Sequence, residues 1–131
     1  TIPIFDIFKE YLLYSQIETL VKEGIIEICP LGFIQGRTFK DTIIIADEMQ
    51  NSSPNQMFML LTRIGTNSKI IINGDLKQTK TFNGLEDVIN KLNKHFPTSE
   101  NKYKHNISLV HLYENDVLRH PVIKTILNLY K

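Results

Sequence analysis

Two bare isoleucine runs set the frame of this chain. Residues 43–47 read Ile-Ile-Ile-Ala-Asp and residues 69–73 read Lys-Ile-Ile-Ile-Asn. A continuous β-branched run without polar alternation predicts a strand covered on both faces, as inside a parallel sheet. Between the runs, Asn51-Ser52-Ser53-Pro54 leads into Met57, Leu60, Leu61 and Ile64 at helical spacing, with Gly65 as the stop. Ser53 is placed to cap that helix, and Pro54 takes its first position, where a missing N–H costs nothing. Strand, helix and strand occupy about thirty residues, the size of a right-handed βαβ crossover. The fold class that follows is α/β with mostly parallel strands.

The remaining pattern extends this order. Ile4, Ile7, Phe8, Tyr11 and Leu12, then Ile17, Leu20 and Val21, predict two short helices closed by Gly24. Ile25-Ile26-Glu27-Ile28-Cys29 predicts a strand that stops at Pro30, and residues 30–42 form a loop carrying Gly32, Gly36, Arg37 and Thr38. After a loop over 74–81, Leu85, Val88, Ile89 and Leu92 mark a helix ending before Pro97. A polar loop over 98–105, a last strand over 107–112 and a closing helix over 117–130, interrupted near its start by Pro121, complete the chain. With 131 residues and 42% hydrophobic content, one domain over 1–131 is expected.

Charge and composition exclude several classes. A net charge of +1 offers no electrostatic case for a nucleic-acid stripe. Cys29 is the one cysteine, which rules out an internal disulfide and suits a reducing compartment. No apolar run reaches membrane-span length and no signal segment opens the chain, so it reads as soluble and cytoplasmic. It begins at Thr1 rather than methionine, as expected of a processed product or a piece of something longer. Of the 15 Lys and Arg residues only Arg37, Arg63 and Arg119 are arginine, an economy that singles out sites where a rigid guanidinium fork is needed.

The chemistry gathers where the isoleucine runs stop. In an open parallel sheet, groups at the carboxyl ends of neighbouring strands converge on one crevice. Asp47 and Glu48 follow the first run, and Gly74-Asp75-Leu76-Lys77-Gln78 follows the second. Adjacent carboxylates in an extended segment diverge, leaving one for magnesium and one for a water, a division that suits phosphoanhydride hydrolysis. Gln78 can donate to a γ-phosphate oxygen and accept from the attacking water. Arg119, just ahead of the last helix, can grip a phosphate bidentately from within the chain or across a subunit boundary. The solvated-loop reading competes at each position, and no Gly-Lys-Ser/Thr phosphate loop occurs anywhere in the 131 residues.

Gly36-Arg37-Thr38, Asp47-Glu48-Met49-Gln50-Asn51, Leu61-Thr62-Arg63-Ile64-Gly65, Gly74-Asp75 with Gln78, and Asp116-Val117-Leu118-Arg119-His120-Pro121 together resemble the later part of a PhoH-family protein. That family comprises P-loop ATPases related to superfamily 1 helicases. The resemblance implies the C-terminal portion of a P-loop NTPase (RecA-like) domain, a mostly parallel sheet flanked by helices. It makes Asp47 and Glu48 the Walker B pair, with Asp47 on the magnesium side and Glu48 as general base. It makes Gln78 a γ-phosphate sensor, Arg119 an arginine finger, and Asp75, Arg37 and Arg63 further nucleotide-binding positions. ATP as substrate, Mg2+ as cofactor, coupling to RNA or DNA, a homo-oligomeric ring and a bacterial, phage or viral source are implied with it. The departures are Gln35 in place of the usual Arg, Met49 in place of Ala, and a short segment after Gln78. The family's Walker A loop would precede Thr1, so the chain alone is expected to bind ATP poorly. A non-catalytic assembly module on a degenerate P-loop fold is the competing reading. A receiver-like phosphoacceptor domain ranks below both, for want of its paired acids and late lysine.

Overall fold

In a computed structural model that describes residues 3–116 and 118–131, the chain divides into two compact units, Thr1–Leu85 and Glu86–Lys131. The first unit opens with α1 (Pro3–Tyr11) and α2 (Tyr14–Lys22), the two short helices expected. The chain leaves α2 through Gly24 at φ 73°, a left-handed value that glycine adopts without steric cost. Residues 25–29 then depart from the expected strand. The Ile25 and Ile26 N–H groups both donate back to the Leu20 carbonyl, at 2.9 and 3.1 Å, closing the helix end instead of entering a ladder.

The predicted crossover is present. β1 (Ile43–Ala46) and β2 (Lys69–Ile72) pair in parallel, with Ile43 opposite Lys69 and Ala46 opposite Ile72. α3 (Pro54–Leu61) joins them. Ser53 caps α3 as expected, because its hydroxyl accepts the Gln56 N–H at 3.1 Å and Gln56 Oε1 accepts the Ser53 N–H at 2.9 Å, a reciprocal capping box. Upstream of both strands, an isolated parallel bridge between Phe39 and Ile64 continues the pairing. Ile34, Ala46, Met49, Met57, Leu60 and Leu85 form the buried core of this unit, together with Ile17.

One expectation about the sheet needs correction. Exposure alternates along both strands, and Ile43 is 70% and Ile71 47% exposed. Because strand side chains point to opposite faces in turn, one face of this two-stranded sheet is open among the described residues.

The second unit contains most of α4 (Gly84–His95), then α5 (Ser99–Lys104) and α6 (Pro121–Leu129). α5 replaces the expected polar loop. Its Thr98 cap accepts the Asn101 N–H at 3.0 Å, and the buried Lys102 donates from Nζ to the Phe96 carbonyl at 2.6 Å. Phe96 stacks on His105 with ring centroids 4.3 Å apart. The strand expected over 107–112 is absent: these residues take no regular structure, and Leu112 is 81% exposed. α6 begins at Pro121, which serves as its first residue and not as an interruption, with His120 Nδ1 accepting the Val122 N–H at 3.2 Å. Val117, the expected first residue of that helix, lies outside the described residues.

Candidate functional site at the carboxyl edge of the sheet

The in-register pairing of Ala46 with Ile72 makes both strands end at the same edge. Two backbone hydrogen bonds fasten the exits: the Asn73 N–H donates to the Ala46 carbonyl at 3.0 Å, and the Met49 N–H donates to the Asn73 carbonyl at 3.1 Å. Each exit then folds into a single 3-10 turn, Met49–Asn51 after β1 and Leu76–Gln78 after β2. Short 3-10 pieces of this kind commonly serve as connectors.

Asp47 is exposed, and its Oδ1 accepts the N–H of Glu48 at 3.0 Å. Glu48 is not extended, as the sequence reading supposed. It sits at φ 55°, ψ 38°, in the left-handed region, because the chain must reverse from the strand into the 49–51 turn within one residue. A non-glycine residue there carries about 1–2 kcal/mol of backbone strain, and strain of this kind persists only where neighbours over-determine it.

Bonds on both sides of the residue hold it, from the Glu48 N–H to Asp47 Oδ1 and from the Asn51 N–H to the Glu48 carbonyl, each at 3.0 Å, and its side chain is held by Gln50, which sequence reasoning did not single out as a site residue. Gln50 is 2% exposed. Its Nε2 donates to Glu48 Oε2 and, at 3.4 Å, to Gln78 Oε1, while its Oε1 accepts the Asp75 N–H at 3.1 Å. Asp75 in turn caps the second turn: Oδ1 accepts the Lys77 N–H at 2.9 Å, and Oδ2 accepts from Gln78 Nε2 at 3.4 Å. Gly74 makes the approach feasible, since a Cβ there would lie 2.7 Å from Gln50 Oε1 and 2.7 Å from Leu85 Cδ2. The structure therefore gathers Asp47, Glu48, Asp75 and Gln78 at one edge around a buried amide. Gln50 stands among Asp47, Glu48, Asn51 and Ser52, so no local contrast in polarity marked it out in the sequence.

Arg37 and Arg63 stand at the other end of the strands. Phe39, four residues ahead of β1, donates its N–H to the Arg63 carbonyl at 2.8 Å. The four residues of β1 separate that end from Asp47 by about 13 Å at roughly 3.3 Å per residue. Arg37 lies over the Phe39 ring, 4.6 Å from its centroid. Its guanidinium closes bidentately on Glu27, at 2.7 and 3.0 Å, and Nη1 also reaches Cys29 Sγ at 3.4 Å. The hydrogen bond from Arg37 holds the Glu27 carboxyl below its ordinary range, helped by charge attraction and opposed by desolvation. The same pairing raises Arg37. Arg63 donates from Nη2 to Thr62 Oγ1 at 3.0 Å, and its buried Nε finds no partner among the described residues. Arg119 belongs to the second unit, exposed ahead of α6.

Among the described residues, no group of three or more His, Cys, Asp or Glu side chains forms a metal cluster. Magnesium in phosphate sites keeps several waters and takes one or two carboxylates plus substrate oxygens. A single exposed Asp47 at the strand end fits that demand. No helix among the described residues is long and apolar enough to cross a membrane.

The profile of the family described as PhoH-like protein matches residues 1–131. A PhoH-like protein of Bacillus subtilis (strain 168) is 38% identical over 128 residues, covering 98% of this chain and 39% of the relative. A PhoH-like protein of Synechocystis sp. is 33% identical over 129 residues, again 98% of this chain, and 38% of the relative. The protein named PhoH of Escherichia coli (strain K12) is 35% identical over 101 residues, 68% of this chain and 27% of that protein. The chain thus spans about two fifths of the length of the first two relatives.

Proposed function

The chain belongs to the PhoH-like family, and on that premise we propose that its carboxyl sheet edge is the hydrolytic half of a magnesium-dependent ATPase site. The observation that carries the reading is the convergence of Glu48 and Gln78 on one buried amide at the ends of two in-register parallel strands.

In this reading Asp47, exposed and with Oδ1 accepting the Glu48 N–H, would hold magnesium. When bound, the ion neutralises charge on the β- and γ-phosphate oxygens. Glu48 accepts a hydrogen bond from the attacking water. The water oxygen bonds to the γ-phosphorus, the bond from that phosphorus to the bridging oxygen breaks, and ADP leaves with the electron pair. The water's proton passes to the Glu48 carboxylate. Gln78 donates to a γ-phosphate oxygen, and Asp75 sets the turn from which it does so. Arg119 supplies the arginine finger. Arg37 and Arg63, at the amino ends of the strands, meet a nucleotide only across a boundary with a neighbouring copy, which accords with a ring. Coupling to RNA or DNA, and residence in the cytoplasm of a bacterium or of a phage-infected or virus-infected host, extend the same proposal. The 131 residues hold no Gly-Lys-Ser/Thr loop, and the reading requires the grip on ATP to be supplied from outside them.

The test is Glu48→Gln in the full-length protein. Loss of a general base lowers turnover by about 10²-fold or more, while ATP binding measured by fluorescent-nucleotide titration is retained. Turnover at the parent rate would sink the assignment.

A further inference from the structure

We infer that Gln50 is a positioning residue that locks the two strand-end turns into one unit, so that Glu48 and Gln78 are oriented together and not separately. The inference rests on the hydrolytic reading of Glu48 and Gln78.

A primary amide carries two N–H donors and a carbonyl with two lone pairs. Gln50 spends both kinds of group across the edge: Nε2 serves Glu48 on its own loop and Gln78 on the other, and Oε1 takes the backbone N–H of Asp75. No other side chain type of this length can donate to a carboxylate and accept from a backbone N–H at once. Glutamate would set a second carboxylate against Glu48, and methionine would fill the volume with no polar group. Burial makes these bonds matter, because an amide held away from water has no alternative partner. Two further features are arranged around it. Gly74 leaves the space that a Cβ would take from Gln50 Oε1, and the Glu48 side chain, carried on a left-handed backbone, is oriented by its bond from Gln50 Nε2. Gln78 Nε2, whose bond to Asp75 Oδ2 is a long 3.4 Å, can turn to a phosphate oxygen while Gln78 Oε1 goes on accepting from Gln50 Nε2.

The experiment has two arms. In the 131-residue chain, amide hydrogen exchange is read at Asp75 before and after Gln50→Met. Loss of its acceptor speeds Asp75 exchange about tenfold or more, while amides of Met57 and Leu60 in α3 keep their rates and report an intact core. Unchanged exchange at Asp75 overturns the lock. In the full-length protein, Gln50→Met lowers kcat about tenfold with KM for ATP within about threefold, and combining it with Gln78→Ala adds no further loss, the signature of residues acting as one unit. Independent, multiplying losses overturn the inference. Full activity of Glu48→Gln would instead remove the hydrolytic reading, and the exchange arm would then judge the lock by itself.

Discussion

The left-handed backbone of Glu48 makes a prediction whose sign is opposite to ordinary experience. At φ 55°, ψ 38° an L side chain of any kind pays about 1–2 kcal/mol. Glutamate and alanine carry that cost equally, whereas glycine does not. Against this, glycine gains conformational entropy in the unfolded chain, which destabilises it relative to alanine by about 0.4–1 kcal/mol. Glu48→Gly and Glu48→Ala both remove the carboxylate that Gln50 Nε2 holds, so that loss cancels between them. The difference that remains favours Glu48→Gly by about 1 kcal/mol. With a urea slope of about 2 kcal/mol per molar, the midpoint of Glu48→Gly lies about 0.5 M above that of Glu48→Ala. Urea titration followed by circular dichroism measures this. At a position with ordinary backbone angles the order reverses, with glycine about 0.5–1 kcal/mol the worse. Equal midpoints, or a lower one for Glu48→Gly, would refute the left-handed turn and with it the strained placement of the carboxylate.

Two further outcomes follow from the same unit. Ser53→Ala removes the acceptor for the Gln56 N–H at the start of α3 and should cost about 1 kcal/mol in the same urea assay, with Ser53→Gly costing only a few tenths. Glu27 has its carboxyl held down by Arg37 in the folded chain, so the stabilisation from this pair is present above the unfolded-state carboxylate pKa and is lost as pH falls through the lower folded value. An NMR titration of the Glu27 side-chain carbonyl should therefore show a midpoint below that of an unstructured glutamate, and Arg37→Lys, which cannot form the fork, should move it back up.

What the sequence made legible was the part of the fold written in local pattern. The isoleucine runs, the Ser53-Pro54 start and the roughly thirty-residue spacing gave β1, α3 and β2, with each strand one residue shorter than expected and α3 ending at Leu61 instead of running to Gly65, because Ile64 pairs with Phe39. The failures share one cause. A strand is completed by a partner, and neither 25–29 nor 107–112 finds a ladder among the described residues, whatever its β-branched content. The helix over Ser99–Lys104 failed in the other direction. It lacks an apolar stripe and is signalled only by its Thr98 cap and by Lys102, whose buried stem does the work an aliphatic residue would do.

The edge itself shows the same limit at finer scale. That Asp47, Glu48, Asp75 and Gln78 lie together could be read from strand order alone, since parallel strands in register deliver their exits to one side. What orients them could not, because it depends on a backbone angle at Glu48, a missing Cβ at Gly74 and three bonds from one amide, none of which has a periodic signature. Asp47, Glu48, Asp75 and Gln78 are all exposed; beneath them the buried Ser52 closes onto its own turn through the Met49 carbonyl, while the buried Gln50 reaches both turns. A substitution at Gln50 therefore perturbs geometry at Glu48 and Gln78 together, whereas substitutions at either of those two leave the turns beneath them in place.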